Sequence, residues 1–364
     1  MSILYDEAQQ AIATESRRVL DARGDQARLL ALLEQPGGYD ETFWKTAVEQ
    51  GWTALALPEA QGGLGLGLIE LGLIAQASGA ATAGAPFLTA GYGAARLLLA
   101  SGNAELTARW LPKLAAGEAL ATFAFAEGNA PLPDRPRCVL DERGLAGEKP
   151  GVVAGLKADF AVVWCMHRGE PALALVELAD ASRQAIDSFD NGRLYADLLF
   201  ADAPATLLLE GGAARDAARD ALARMAVVTA HEQLGGAEAL MFIARDYANT
   251  RKAFGQAIGA FQSVKHRIAE IYGLVEIARA NCIHAASREG EPDFLRAAAA
   301  ARLSATEAYD TAARDTVQIH GGIGVTWEGG LHLHMRRARS LATEQGNMFF
   351  WEDLLVEELT GAAE

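Results

Sequence analysis

The residues with the most chemical character lie in RKAFGQAIGAFQSVKHR, positions 251–267. Arg251, Lys252, Lys265, His266 and Arg267 crowd into this stretch of a chain whose formal net charge is −15. A cationic island in an acidic chain is either a solvated helix junction or a place that holds an anion. A second stretch, QIHGGIG at 318–324, stops a helical pattern on paired glycines. Those glycines either terminate the helix or let the backbone approach a ligand with no side chain between. Taken together, the two stretches fit one ligand chemistry. Arg251 can pair with a phosphate, Gln262 and Gln318 can bond a sugar or a base, and Gly321 and Gly322 can offer backbone N–H groups. The set suits a dinucleotide pyrophosphate.

Other chemistries find less support. LGLGLIELG (63–72 region) misses the GxGxxG spacing, because Leu68 and Glu70 stand where a third glycine is needed, and no strand precedes it. His320, His332 and His334 lack a Cys or carboxylate partner at metal-ligand spacing, so no metal is expected. No GxSxG or Cys–His pattern suggests a nucleophile.

The elements that must carry these residues follow from periodicity. Residues 1–117 read as a helical domain, with an amphipathic DETFWKTAVEQGW ending near Gly51 and a glycine loop, LPEAQGGLGLG, entering a further helix. Residues 118–210 change texture. Short, partly alternating apolar runs between turn residues predict a small, mostly antiparallel β-domain. From 211 to 364 the helical period returns: Leu222, Met225, Ala226, Thr229 and Ala230 share a face, as do Val264, Ile268, Ile271 and Val275. An Ala-rich helix is expected over 296–320. The expected class is α+β, mainly α, in the order helical, β, helical.

The chain has 364 residues, 51% of them hydrophobic, which is enough for two or three domains with their own cores. A pI near 5 argues against nucleic acid or an anionic membrane as partner. Cys138, Cys165 and Cys282 form no CxxC, which predicts buried, reduced thiols. No run of twenty uninterrupted apolar residues and no basic leader stand out, so the expected location is the cytoplasm.

The chain resembles the acyl-CoA dehydrogenases over nearly its whole length. GWTALALPEAQGGLGLG is similar to that family's N-terminal loop, RKAFGQAIGAFQSVKHRIAEIY to its Arg-x-x-Phe-Gly…Phe-Gln stretch, and QIHGGIGVTWEGGLHLHMRRAR to its Gln-x-x-Gly-Gly-x-Gly segment. The resemblance implies a helical domain, a β-domain and a C-terminal four-helix bundle, with FAD as cofactor. By position it gives Arg251 and Phe254 to the FAD pyrophosphate, Gln262 and Gln318 to the adenosine side, and Gly321 and Gly322 to the phosphates, with the FAD belonging largely to a neighbouring subunit. It also implies α,β-dehydrogenation of an acyl-CoA thioester. In that reaction a glutamate takes the α-proton, and burial suits a carboxylate to that role.

The matching base is displaced or missing. Where the family carries Glu-Gly-Thr, this chain reads Gln345-Gly346-Asn347, with Glu344 one position away. The family's other place for the base lies on the helix leading to Arg251, and there Met225 and Ala226 stand, with Arg224 close by. In the β-domain Glu127 matches, but Ala126 replaces a flavin-bonding hydroxyl residue. Gly147 and Lys149 are kept, while Gly151 and Val153 occupy the later flavin-side positions. The positions that would grip a partner's FAD tail are thus present, and those for a flavin ring and a base are mostly absent. The expectation is one subunit of an α2β2 acyl-CoA dehydrogenase, resembling those that oxidise steroid side-chain CoA thioesters. Its expected partners are a second acyl-CoA dehydrogenase subunit, an acyl-CoA and an electron-transfer flavoprotein or similar acceptor. The alternatives are a self-sufficient homotetramer using Glu344, or a non-catalytic scaffold.

Overall fold

The computed structural model describes residues 5–83 and 87–361. Six helices come first: α1 (Glu7–Arg23), α2 (Gln26–Leu33), α3 (Glu41–Glu49), α4 (Leu68–Ala80), α5 (Phe87–Ser101) and α6 (Ala104–Ala115). Eight strands follow: β1 (Ala121–Ala124), β2 (Val139–Asp141), β3 (Gly144–Val152), β4 (Phe160–His167), β5 (Glu170–Glu177), β6 (Ser182–Ala185), β7 (Ala196–Ala203) and β8 (Ala205–Glu210). Next come α7 (Gly211–Thr250), the short strands β9 (Lys252–Ala253) and β10 (Gln256–Ala257), and then α8 (Gln262–Ser287), α9 (Phe294–His320), α10 (Leu331–Leu341) and α11 (Met348–Thr360). The mainly helical α+β class read from the sequence is the class observed. Among the described residues no helix is long and apolar enough to cross a membrane.

The chain divides into two compact units. One comprises Leu32–Gly67 and Gly84–Met225 and holds the sheet. Its strands run in the order β6-β7-β3-β2-β4-β5-β8, with β1 paired to β4. Most neighbours are antiparallel, as expected, but β1 and β2 both run parallel to β4. That difference could not be read from alternation, because β1 and most of β4 are buried on both faces. The inner face is closed by Leu145, Ala161, Val163, Val176, Leu198 and Phe200, together with the thiols of Cys138 and Cys165.

The other unit comprises Met1–Ala31, Leu68–Ala83 and Ala226–Glu364. A capping box between Asp6 and Gln9 starts α1, which packs on α4. Helix α9 is the hub of this unit, touching α8, α10 and α11. Its buried alanines at 297, 301, 305, 308 and 312 let α8 come close, and α8 answers with Ile271, Val275, Ala278, Cys282 and Ala285. Helices α4 and α7 meet backbone to backbone. A Cβ on Gly79 would lie 1.8 Å from the Glu232 carbonyl oxygen, and one on Gly235 would lie 1.8 Å from that of Gln76. All three cysteines are buried and free.

Candidate functional site

Helix α7 ends where the backbone N–H of Arg251 makes its last bond, to Tyr247 O. The chain then forms a tight hairpin. Ala253 pairs with Gln256 and Lys252 with Ala257, so Phe254 and Gly255 are the two turn residues. Both have positive φ, +51° and +82°, the type I′ form that matches strand twist. Glycine accepts that conformation freely; phenylalanine does not, at a cost of about 1–2 kcal/mol. The Phe254 ring is also 95% exposed, resting only edge-on against Phe261. A strained, exposed aromatic at a hairpin tip is a feature of functional surfaces rather than of cores. After the hairpin, Ile258 N–H bonds Arg251 O, and α8 begins at Gln262.

The second sequence stretch reaches the same end of this unit. Ile319, in the last turn of α9, packs with Ala244 and Ala248 of α7, and Tyr247, Ile258, Val264 and Ile268 close the cluster. Tyr247 stacks on His320 at 4.0 Å, and its hydroxyl donates to His320 O at 3.4 Å. This small apolar knot brings the ends of α7 and α9 to the start of α8. Arg251, Phe254 and Gln262 therefore lie at the same end of this unit as Gln318, Gly321 and Gly322, and all six are exposed. The Arg251 guanidinium and the Gln262 and Gln318 amides have no hydrogen-bond or ion-pair partner among the described residues. Arg267, in contrast, is engaged by Asp315 at 2.6 Å.

The two glycines differ. Gly321, at φ +61°, caps α9 and gives its N–H to the helix, so it is bare for its own conformation. Gly322 has no such constraint, and a Cβ there would meet nothing within 4 Å. No packing within this chain explains why it is glycine. Close approach by a group from outside does. A lone guanidinium, two unengaged amides and a bare backbone position together fit the diphosphate and adenosine half of a dinucleotide such as FAD.

Glu344 stands elsewhere in the same unit. It follows α10 and is buried, and its backbone carbonyl accepts a 2.8 Å bond from Arg302. Arg302 lies sixteen residues before Gln318 on α9, or about 24 Å along the helix. Arg302 is itself buried and donates to Gln233 Oε1, Thr306 Oγ1 (3.0 Å) and Leu341 O. Next to Glu344, Gln345 holds φ +56° and is buried, its Oε1 accepting a 2.9 Å bond from Thr229 Oγ1. On the other side of this network Arg337 pairs with buried Glu232 at 2.9 Å and also bonds Ala83 O. His334 bonds the Tyr309 hydroxyl at 2.9 Å, while His332 stacks on Trp327, so the two histidines serve different contacts. Sequence reading missed Arg302, the bond from Thr229 to Gln345 and the Tyr247–His320 stack. Apart from Thr306, one turn on from Arg302, the partners are tens of residues away, and no local pattern marks them.

In the sheet-bearing unit, the residues matched to flavin-side positions serve the sheet. Glu127 and Lys149 form a buried pair at 2.6 Å, and Lys149 Nζ also donates to Phe125 O. Burial works to raise the Glu127 carboxyl, but the Lys149 ammonium and the Arg137 and Cys138 N–H groups outweigh it and hold it below the usual carboxylate range. Gly147, at φ +132°, leaves no room for a Cβ, which would lie 2.8 Å from Cys138 Cα. Gly151 gives its N–H to Asp197. Met225 is fully buried and close-packed on Gly93, and Arg224 pairs with Asp220 at 2.7 Å.

Comparison with known proteins agrees with this geometry. Residues 6–118 match the description acyl-CoA dehydrogenase, N-terminal domain, and residues 215–348 match acyl-CoA dehydrogenase, C-terminal domain. The chain is 30% identical to acyl-CoA dehydrogenase IpdE2 of Mycobacterium tuberculosis over 87% of its own length and 86% of that protein's. Among solved structures it superposes on a variant of the Tcur3481-Tcur3483 steroid ACAD with a TM-score of 0.87 and 28% identity, covering 98% of this chain and 99% of that one. It superposes on the ChsE4-ChsE5 complex of Mycobacterium tuberculosis with a TM-score of 0.89 and 25% identity, covering 99% of each chain. The chain belongs to the acyl-CoA dehydrogenase family, oxidoreductases that act on acyl-CoA thioesters.

Proposed function

We propose that this chain is one subunit of a heteromeric, FAD-dependent acyl-CoA dehydrogenase that introduces an α,β double bond into a bulky acyl-CoA such as a steroid side-chain thioester. Its three sequence segments, 1–117, 118–210 and 211–364, correspond in this reading to the family's three domains. Arg251 and Phe254 hold the FAD pyrophosphate, Gln262 and Gln318 the adenosine side, and Gly321 and Gly322 admit the phosphates. FAD supplies the hydride acceptor when bound. The base that takes the α-proton, and most of the acyl pocket, come from a second subunit, in an α2β2 assembly. Electrons then pass to an electron-transfer flavoprotein or a similar acceptor.

One observation carries this reading. Exposed, unengaged polar groups, a strained Phe254 and a glycine with empty space before it gather at one end of the helical unit, while the family's base positions hold Gln345 and a buried Met225. A site kept for gripping a cofactor's tail, without the residues for its reactive ring, is what a shared site asks of one partner. The steroid-linked assemblies that this chain resembles point the same way.

The test is to purify the chain alone and after co-expression with candidate partner acyl-CoA dehydrogenase subunits from the same genome, measuring FAD per chain and turnover. FAD and activity are expected only in the complex, and Glu344→Gln in this chain is expected to leave turnover unchanged. Full FAD occupancy and turnover by the chain alone, abolished by Glu344→Gln, would give the homotetramer instead.

A further inference from the structure

Two contacts at the end of the helical unit run through one residue, Tyr247. Its carbonyl accepts the Arg251 N–H at 2.8 Å, which sets where α7 stops and the hairpin with Arg251 and Phe254 begins. Its ring stacks on His320, with centroids 4.0 Å apart and planes 20° from parallel, and its hydroxyl donates to His320 O at 3.4 Å. His320 is the last residue of α9 and stands directly before Gly321. The His320 ring is itself held, Nδ1–H donating to Thr316 O at 2.8 Å one turn back. Gly321 then takes φ +61° and ψ −135°, a region that glycine alone enters freely, and the chain turns into Gly322. One stacked pair thus joins the segment that bears the guanidinium to the segment that bears the bare backbone.

The rest of the junction is less able to set that spacing. The buried members of the cluster beneath are Ala244, Ala248 and Ile319, with Ile258, Val264 and Ile268 packed against them. Small aliphatic groups of this kind exclude water but have no preferred angle, whereas two flat rings have a preferred offset and separation. Arg251 and Gly322 follow different helices, so a ligand held by both depends on the distance between them. A misplacement of about 1 Å is costly in a grip of that kind.

We propose that Tyr247 and His320 are positioning residues for the dinucleotide. Their stack sets the distance between the Arg251 hairpin and the Gly321–Gly322 turn, and so the strength with which the two together hold the diphosphate. The proposal rests on the family reading above and deepens it by naming the pair that keeps the two halves of the site in register.

The experiment uses the co-expressed complex, stripped of flavin and titrated with FAD, with flavin fluorescence as the readout. His320→Ala is expected to weaken FAD binding roughly two- to tenfold, the worth of one aromatic pair. His320→Phe, which keeps a ring on Tyr247, is expected to stay within about twofold of the natural complex. In an Arg251→Ala background His320→Ala is expected to weaken binding by a clearly smaller factor, because the guanidinium that it positions is gone. Packing alone would lower the thermal midpoint and leave that factor the same in both backgrounds, and such a result overturns the proposal. So does FAD affinity unchanged by His320→Ala, or equal weakening by His320→Phe and His320→Ala. Should His320→Ala not fold, His320→Leu, which fills the space without a stack, is read in its place. A natural complex that takes up no FAD ends the family reading and this one together, whereas a natural complex that binds FAD as tightly as its variants ends this one alone.

Discussion

At the scale of single residues, the clearest sign of function is a side chain that weakens its own fold. Phe254 spends backbone strain and an exposed ring on a turn that glycine would form without cost. Phe254→Gly is therefore expected to raise the stability of the isolated chain by roughly 1 kcal/mol, measured as the urea midpoint. The same variant is expected to lower FAD retention in the co-expressed complex. Arg251→Ala should have the second effect without the first. It removes a charge-assisted contact worth about 1.5–3 kcal/mol, so FAD should be lost at roughly tenfold lower dilution or more, with the midpoint unmoved because the guanidinium has no partner within this chain. If Phe254→Gly destabilises the chain, the ring is part of its packing and the functional reading of the turn fails. These residues were legible in sequence as types at a spacing, but the hairpin was not. Asn-Gly or Asp-Gly announces a type I′ turn, whereas Phe-Gly carries no such propensity, and the stretch reads instead as a helix broken by glycines.

At the scale of elements, periodicity served well where one face is buried and poorly where contact is too close for side chains. The face of α8 through Ile271 and Val275 and the Ala-rich α9 were plain in the sequence, since each repeats at helical spacing. The meeting of α4 with α7 was not. Its specificity lies in absent side chains, and glycine in a helix looks like a defect until a neighbour is known. Gly79 and Gly235 each face a carbonyl oxygen across that contact, whereas Gly273, on the exposed side of α8, would offer a Cβ to empty space. The same substitution should therefore change sign. Gly235→Ala forces two backbones apart and is expected to cost about 2–3 kcal/mol. Gly273→Ala is expected to gain about 0.5–1 kcal/mol from the better helix former. Thermal midpoints of the two variants decide it, and a loss of similar size in both would mean that helix propensity, not contact, governs the first.

At the scale of the whole molecule, the acidic balance and the buried histidines set how the chain answers pH. The class was readable because composition, segment texture and two motifs agreed. The buried polar network was not, because ionisable side chains are read from sequence as surface. His231 and His334 are both buried, and burial pushes them down to about 4 and about 3; Arg337 adds to the effect on His334. Each stays neutral when folded but takes up a proton near pH 6.5 once unfolded. Between pH 6.5 and about 4 the unfolded state therefore binds more protons, and stability falls as pH falls. Each histidine contributes a slope of up to about 1.4 kcal/mol per pH unit in that window. The Glu127 carboxyl, held below its ordinary value, stays charged through the upper part of the window and does not mask the effect. The chain approaches zero net charge near pH 5, where association competes, so urea midpoints are best compared between pH 5.5 and 7. His231 gives a ring N–H to the carbonyl of Val227 one turn back on α7 and packs its ring closely on Gly72 of α4, so His231→Met removes the titration and lowers the midpoint at every pH, and the slope with pH is the readout. The variant should show a clearly shallower acid slope than the natural chain over that range, His334 and His332, both also held down by burial, keeping theirs. An unchanged slope would place the acid sensitivity outside this buried pair.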